Sequence, residues 1–315
     1  MSAHLAAAGY PLKTFDRAVP GSASSVREAV RDADVLVTML PDGGVVRDVV
    51  LEAMPQLREG ALVIDMSSAD PAGSRALGRA LAAHGIAMVD APVSGAVAKA
   101  KDATLAIMVG GAKADVERAR PILSKMGTDL FHCGPLGAGH AVKALNNYLG
   151  AAGTLAGFEV LLVANAFGLD PKPMLEAINA STGKNSTTER KIPQQVLTGA
   201  FASGFKLALM AKDVGIAANL AKGVGLRTPY LSETLRLWRD AQRSLPPQAD
   251  HTEIYRFLER LCSPSRGARG QPSRSRRTPR RSSAKADRRR PASASSSRAQ
   301  GRAAGSPARR SRRRS

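Results

Sequence analysis

A lysine followed closely by two amides, Lys143-Ala-Leu-Asn146-Asn147, is the first place in this chain where residue types and spacing suggest a reaction. Lys143 and Asn147 stand four positions apart, so on a helix they share one face. Hydride transfer from an alcohol needs a group to take the hydroxyl proton. A lysine does this when desolvation lowers its proton affinity toward neutrality. A second signal is Asp90-Ala-Pro-Val-Ser94-Gly95, an apolar run that turns at Pro92 and Gly95. The Ser94 hydroxyl and the backbone amides after it suit a carboxylate, although Pro, Ser and Gly also build plain turns.

A third signal is Asp16, which closes Pro11-Leu-Lys-Thr-Phe-Asp16. In dinucleotide-binding folds an acid at such a strand end bonds the ribose hydroxyls, ~20 residues after a glycine fingerprint. Counting back places the fingerprint ahead of Met1. Ser2–Gly9 then reads as the remnant of the first helix, and the first strand and its G-x-G-x-x-G turn are expected to be missing. Gly137-Ala-Gly139 follows a strand and opens a helix. It lacks the third glycine and a downstream acid, so it is a weak phosphate signal.

These residues need a scaffold. Short apolar runs at 12–16, 34–40, 61–65, 86–90, 104–109 and 128–132 read as buried parallel strands. Helical patterns alternate with them. Asp70-Pro71 pairs an N-cap with a first-turn proline, and that helix should stop at Gly85. Residues 113–126 form another. This alternation means an α/β domain of the Rossmann type. After Gly139 no strand is evident. Residues 140–167 read as one long helix, with Val142, Leu145, Leu149, Ala152 and Ala156 as its apolar face. Shorter helices are expected at 171–180, 192–197, 207–222, 232–244 and 252–261. The predicted domains are therefore 1–134, a truncated NAD-binding Rossmann domain, 135–261, an all-helical domain, and 262–315, a tail.

Composition fits this division. Hydrophobic residues make up 43% of the chain and aromatics only 4%, so Ala, Leu and Val must supply most of the core. The net charge of +20 suggests nucleic acid until its distribution is seen. Residues 262–315 hold 18 of the 46 Lys+Arg and one of the 26 Asp+Glu, which leaves the body near neutrality. That Arg/Ser-rich segment lacks apolar periodicity and is expected to be disordered. Its arginine runs, Arg288–Arg290 and Arg312–Arg314, imply weak, non-specific, salt-sensitive nucleic-acid binding. Cys133 and Cys262 imply no disulfide framework, and no CxxC or HExxH pattern supports a metal site. No uninterrupted apolar run of membrane length is present, and the cytoplasm is the default compartment.

The segments 90–95, 104–111, 134–147 and 205–217 resemble the β-hydroxyacid dehydrogenases, a family that includes 3-hydroxyisobutyrate dehydrogenases and 2-hydroxy-3-oxopropionate (tartronate semialdehyde) reductases. The most specific string is Gly137-Ala-Gly-His-Ala-Val-Lys143-Ala-Leu-Asn-Asn147. The resemblance covers residues 1–261. It implies Lys143 as the proton-transfer residue with Asn147 as its substrate-side partner, and Ser94 and Gly95 as the substrate loop. It implies cofactor contacts at Asp16, at Met39-Leu40-Pro41, at Ser68 and at Lys212. Asp16 favours NAD, while Arg17 beside it can accommodate the 2′-phosphate of NADP. A homodimer or homotetramer through the helical domain is also implied. The sequence departs from the family at Ala96 and Ala103, where glycine is common. The expected activity is NAD-dependent oxidation of a small β-hydroxy acid of the 3-hydroxyisobutyrate type. Tartronate semialdehyde reduction, and an inactive or nucleic-acid-binding relative, stay open as alternatives.

Overall fold

The structure, a computed structural model, describes residues 1–263. The basic segment expected to be disordered lies outside the described residues except at its start, where Cys262 closes the last helix.

The first half alternates strands and helices. Helix α1 (Ser2–Ala7) and α2 (Val26–Val30) precede β1 (Val35–Thr38), α3 (Gly43–Ala53), β2 (Leu62–Asp65), α4 (Pro71–Ala82) and β3 (Ala87–Asp90). Next come β4 (Val93–Ser94), α5 (Ala96–Lys101), β5 (Leu105–Gly110), α6 (Lys113–Leu123) and β6 (Gly127–Gly134). The caps explain two of the helix starts. The Asp42 side chain accepts from the amides of Gly44 and Val45 at the head of α3, and Asp70 accepts from Ala72 at the head of α4.

Strands β1, β2 and β3 run parallel in that order. The all-parallel expectation fails beyond them: β5 is antiparallel to both β3 and β4, and β6 runs parallel to β5. A parallel return needs a crossover of a dozen or more residues. Here Val93 and Ser94, just past β3, pair with β5 itself, so the chain comes back in the opposite direction. The strand expected at 12–16 is also absent. Thr14 instead receives the amide of Ala23 and donates its own to Ser22 Oγ, closing a loop with no sheet partner among the described residues.

The second half is helical: α7 (Ala138–Phe167), α8 (Pro171–Asn179), a π-helical segment (Thr187–Val196), α9 (Leu207–Gly223), α10 (Pro229–Ser244) and α11 (Ile254–Cys262). Gly168, at φ 91°, ends α7 in the left-handed conformation that glycine adopts without strain. By length and composition α7 could cross a membrane, with a mean hydropathy of 1.5. Its packing against α9, α10 and α11 marks it as a core helix.

The buried face of α7 is not the one expected. Val142, Leu145, Leu149 and Ala156 are exposed, Leu149 at 73%, and of the expected face only Ala152 is buried. The helix instead turns His140, Lys143, Ala144, Asn147, Ala151, Leu155, Phe158 and Leu161 inward. Below its first turns that face joins Val214, Trp238 and Leu258 in the helical core. An apolar stripe on a helix this rich in Ala and Leu does not by itself reveal which side is covered.

Candidate active site

Helix α7 is anchored where it leaves the sheet. The Asp90 carboxylate, at the end of β3, accepts the backbone amides of Gly137 and His140, each at 2.6 Å. It therefore caps the α7 N-terminus from a distant strand. Burial pushes its pKa up, while His140 and these amides pull it back. Close approach explains two glycines. A Cβ on Gly139 would sit 2.2 Å from Met108 O, and one on Gly110 would sit 2.3 Å from Asp90 Oδ1. Gly137-Ala-Gly139 is thus a packing motif: the Gly137 amide is taken by Asp90 and the Ala138 amide by Pro135 O, which leaves neither for a phosphate.

Lys143 lies one turn further along. It is buried, with 9% exposure. Burial pulls its pKa below the ordinary lysine value, partly offset by Asp213 and reinforced by Lys212. Asn147 shares its face and donates from Nδ2 to Asp213 Oδ2 at 2.6 Å. Asp213 comes from α9 and is itself buried. Its Oδ1 makes no hydrogen bond and lies 3.4 Å from the Lys212 amine. Lys212 also reaches across to the sheet, donating to Pro41 O at 3.0 Å and Ser68 O at 2.9 Å. Neighbouring residues of α9 thus contact Asn147 of α7 on one side and the segments after β1 and β2 on the other.

The structure brings several expected residues together. Pro41 and Ser68, following β1 and β2, meet at Lys212, and Leu40 donates its amide to Ser67 Oγ. Met39 is exposed beside them. These are C-terminal ends of parallel strands, where dinucleotides bind. A cleft of about 540 Å³ opens next to them between α3, α4 and α9, lined in part by Asp42, Ser68, Lys212, Ile216 and Asn219. Lys143 and Asn147 lie outside its lining. The strand ends and Lys212 therefore border a cleft at the position where such folds hold a dinucleotide. A glycine-rich turn for its pyrophosphate is not found among the described residues.

Other expected residues make no hydrogen bond to Lys143, Asn147 or Lys212 among the described residues. Asp16 and Arg17 are exposed in an irregular stretch, and Asp16 Oδ1 is occupied by the amides of Ala18 and Val19. Ser94 and Gly95 are half-buried at the turn from β4 into α5, without a hydrogen bond to Lys143 or Asn147 among the described residues. Around that turn both departures from glycine carry strain: Ala96 and Ala103 each adopt φ 54°. A left-handed residue with a Cβ costs roughly 1–2 kcal/mol, part of which a glycine returns as unfolded-state entropy. Ala96→Gly and Ala103→Gly are each expected to raise stability by about 0.5–1 kcal/mol in urea unfolding. A loss of stability in both would mean that their methyl groups make compensating contacts.

Three polar groups escaped the sequence reading. Asp213 adjoined Lys212 in plain view. Asp65 and His140 carried no signal, because nothing in a linear pattern distinguishes a buried polar residue from a solvated one.

Comparison with known proteins now decides the family. Residues 1–134 match the NAD-binding domain of 6-phosphogluconate dehydrogenase. Residues 137–258 match the domain described as NAD-binding of NADP-dependent 3-hydroxyisobutyrate dehydrogenase. A probable 3-hydroxyisobutyrate dehydrogenase of Mycobacterium bovis is 36% identical over 270 residues, which span 81% of this chain and 90% of that protein. The chain belongs to the β-hydroxyacid dehydrogenase family. The NAD-dependent L-serine dehydrogenase of Pseudomonas aeruginosa is also 36% identical, over 85% of this chain and 95% of its own. Among solved structures, Mycobacterium tuberculosis 3-hydroxyisobutyrate dehydrogenase with L-serine superposes with a TM-score of 0.76 at 32% identity, covering 82% of this chain and 94% of that one. As a member of this dehydrogenase family the chain is an NAD(P)-dependent hydroxyacid oxidoreductase with a Rossmann-like first domain and a helical second one.

Proposed function

We propose that this chain oxidises the primary hydroxyl of a small β-hydroxy acid of the 3-hydroxyisobutyrate type, with Lys143 exchanging the hydroxyl proton. The observation that supports this reading most is the buried Lys143 on one α7 face with Asn147, which Asp213 holds in place. The two substrates in the relatives' names, 3-hydroxyisobutyrate and L-serine, share a hydroxymethyl group beside a carbon that bears a carboxylate. Ser94 Oγ and the amides after Gly95 receive that carboxylate. Asn147 and Lys143 face the hydroxyl. In oxidation the neutral Lys143 amine takes the hydroxyl proton, and in reduction the ammonium returns it to the carbonyl oxygen.

When bound, NAD(P) supplies the hydride acceptor or donor. Met39, Leu40, Pro41, Ser68 and Lys212 would hold it at the strand ends. Asp16 selects NAD at the adenosine ribose, and Arg17 admits some NADP. The exposed stripe of α7, Val142, Leu145, Leu149, Val160, Val163 and Phe167, supports a homodimer or homotetramer built on that helix.

The test is kcat/KM at saturating cofactor for 3-hydroxyisobutyrate, for L-serine and, in the reverse direction, for 2-hydroxy-3-oxopropionate. 3-Hydroxyisobutyrate is expected to lead L-serine by at least about tenfold, the scale of a single-group difference in a substrate pocket. A preference for L-serine would keep the chemistry and change the substrate. Failure to oxidise either acid at saturating cofactor would overturn the reading.

A further inference from the structure

Lys143 and its partners use only part of the buried polar network at the head of α7. His140, one turn before Lys143, is 1% exposed and unused by the chemistry above. Its Nε2 lies 3.1 Å from Ser67 O. A carbonyl only accepts, so Nε2 carries a proton and donates it. Its Nδ1 lies 2.8 Å from Ser74 Oγ, and that hydroxyl is also 3.2 Å from Asp70 O. Two buried carboxylates flank the ring. Asp65 Oδ2 is 3.7 Å from Nε2, and Asp90 Oδ2 is 3.7 Å from Nδ1.

The two carboxylates differ in what else they hold. Asp90 accepts the Gly137 and His140 amides, as described. Asp65 Oδ1 accepts from Thr38 Oγ1 at 2.9 Å and from Ser67 N at 3.0 Å, but its Oδ2 is buried without a hydrogen bond. The imidazole edge is what faces that oxygen. One ring therefore ties the segment after β2, the end of β3 and helix α4 to the first turn of α7. The residue three positions on, on the same face, is Lys143.

We propose that His140 is a positioning residue, its ring clamped by Ser67 and Ser74 between Asp65 and Asp90, which fixes how deeply the next turn of α7 buries the Lys143 amine. The proposal rests on Lys143 being the proton-transfer group. The charged groups facing the ring are Asp65 from β2 and Asp90 from β3. Those facing Lys143 are Asp213 and Lys212 from α9. A leucine at 140 fills the space but leaves Ser67 O and Asp65 Oδ2 with no N–H before them. Asp65 and Asp90 then repel across an apolar gap, and the first turn of α7 lifts away from the sheet. A glutamine restores one donor but cannot reach Ser67 and Ser74 together.

The experiment reads Lys143 directly rather than turnover. An amine-selective acylating reagent is applied to the full chain from neutral to alkaline pH, and modification of Lys143 is followed by mass spectrometry. The midpoint of the pH profile is independent of overall accessibility. In His140→Leu and in Ser74→Ala that midpoint is expected to rise toward the ordinary lysine range. Labelling near neutral pH then falls at least about threefold, the effect of half a unit in pKa. His140→Gln is expected between the parent and His140→Leu. Midpoints that coincide with the parent in the folded variants overturn the proposal. Should His140→Leu fail to fold, Ser74→Ala, which removes a single hydroxyl, decides alone by the same criterion. Turnover that survives Lys143→Ala would instead defeat the proton-transfer assignment, and the labelling midpoints would not register it.

Discussion

Replacing Lys143 by alanine is expected to lower kcat by about 10²–10⁴-fold, the usual contribution of a positioned acid–base group, measured at saturating cofactor and substrate. Cofactor affinity should stay nearly unchanged, because the residues assigned to NAD(P) lie on other elements: Pro41 and Ser68 follow β1 and β2, and Lys212 is on α9. Lys143→Arg is expected to fail equally. A guanidinium stays charged throughout the working range and cannot take a proton from an alcohol. Burial depresses the Lys143 pKa, whereas Asp213 works against that depression. The site thus shifts the amine toward its neutral form while keeping a carboxylate at hand for its charged form. A loss smaller than about tenfold in kcat would remove Lys143 from this role.

The largest effect on stability is expected at Asp90. Its carboxylate is completely buried and accepts two backbone amides at 2.6 Å. Asp90→Ala leaves both amides without an acceptor, each costing about 1–3 kcal/mol, so a total of roughly 3–5 kcal/mol is expected in urea unfolding. Asp90→Asn should recover only part of this. One of its two positions becomes an NH₂ group, which meets another donor rather than an acceptor. The loss should also appear as reduced hydrogen-exchange protection in the first turns of α7, since those amides are the ones released. A cost under about 1 kcal/mol for Asp90→Ala would mean that water or another group takes over the cap.

How far the sequence revealed this arrangement depends on the kind of signal each residue gave. Asp70-Pro71 announced α4 because capping is local, and the side-chain bond to Ala72 is seen in the structure. The pair Lys143 and Asn147 was legible because a four-residue spacing fixes a shared helix face. The face of α7 that packs inward was not legible, since apolar residues surround most of that helix and burial is settled by α9 rather than by α7. The strand expected at 12–16 had the right composition but finds no strand to pair with among the described residues, and pairing is a non-local property. The antiparallel return of β5 was hidden for the same reason: it depends on where Val93 and Ser94 find a partner. Asp65, Asp90 and His140 form a network across some 75 residues of sequence in which no pair is adjacent, so only the fold assembles it.

The most direct test of the account is the pH dependence of kcat/KM in both directions. Oxidation requires the neutral Lys143 amine, so its rate should rise with pH and level off above the amine's pKa. Reduction requires the ammonium, so its rate should fall through the same range. Burial places the midpoint below the ordinary lysine value of 10.5. The account predicts opposite limbs sharing that lowered midpoint, both lost from the residual activity of Lys143→Ala. Limbs that persist unchanged in that variant would contradict it, because the proton would then be passing through a group other than Lys143.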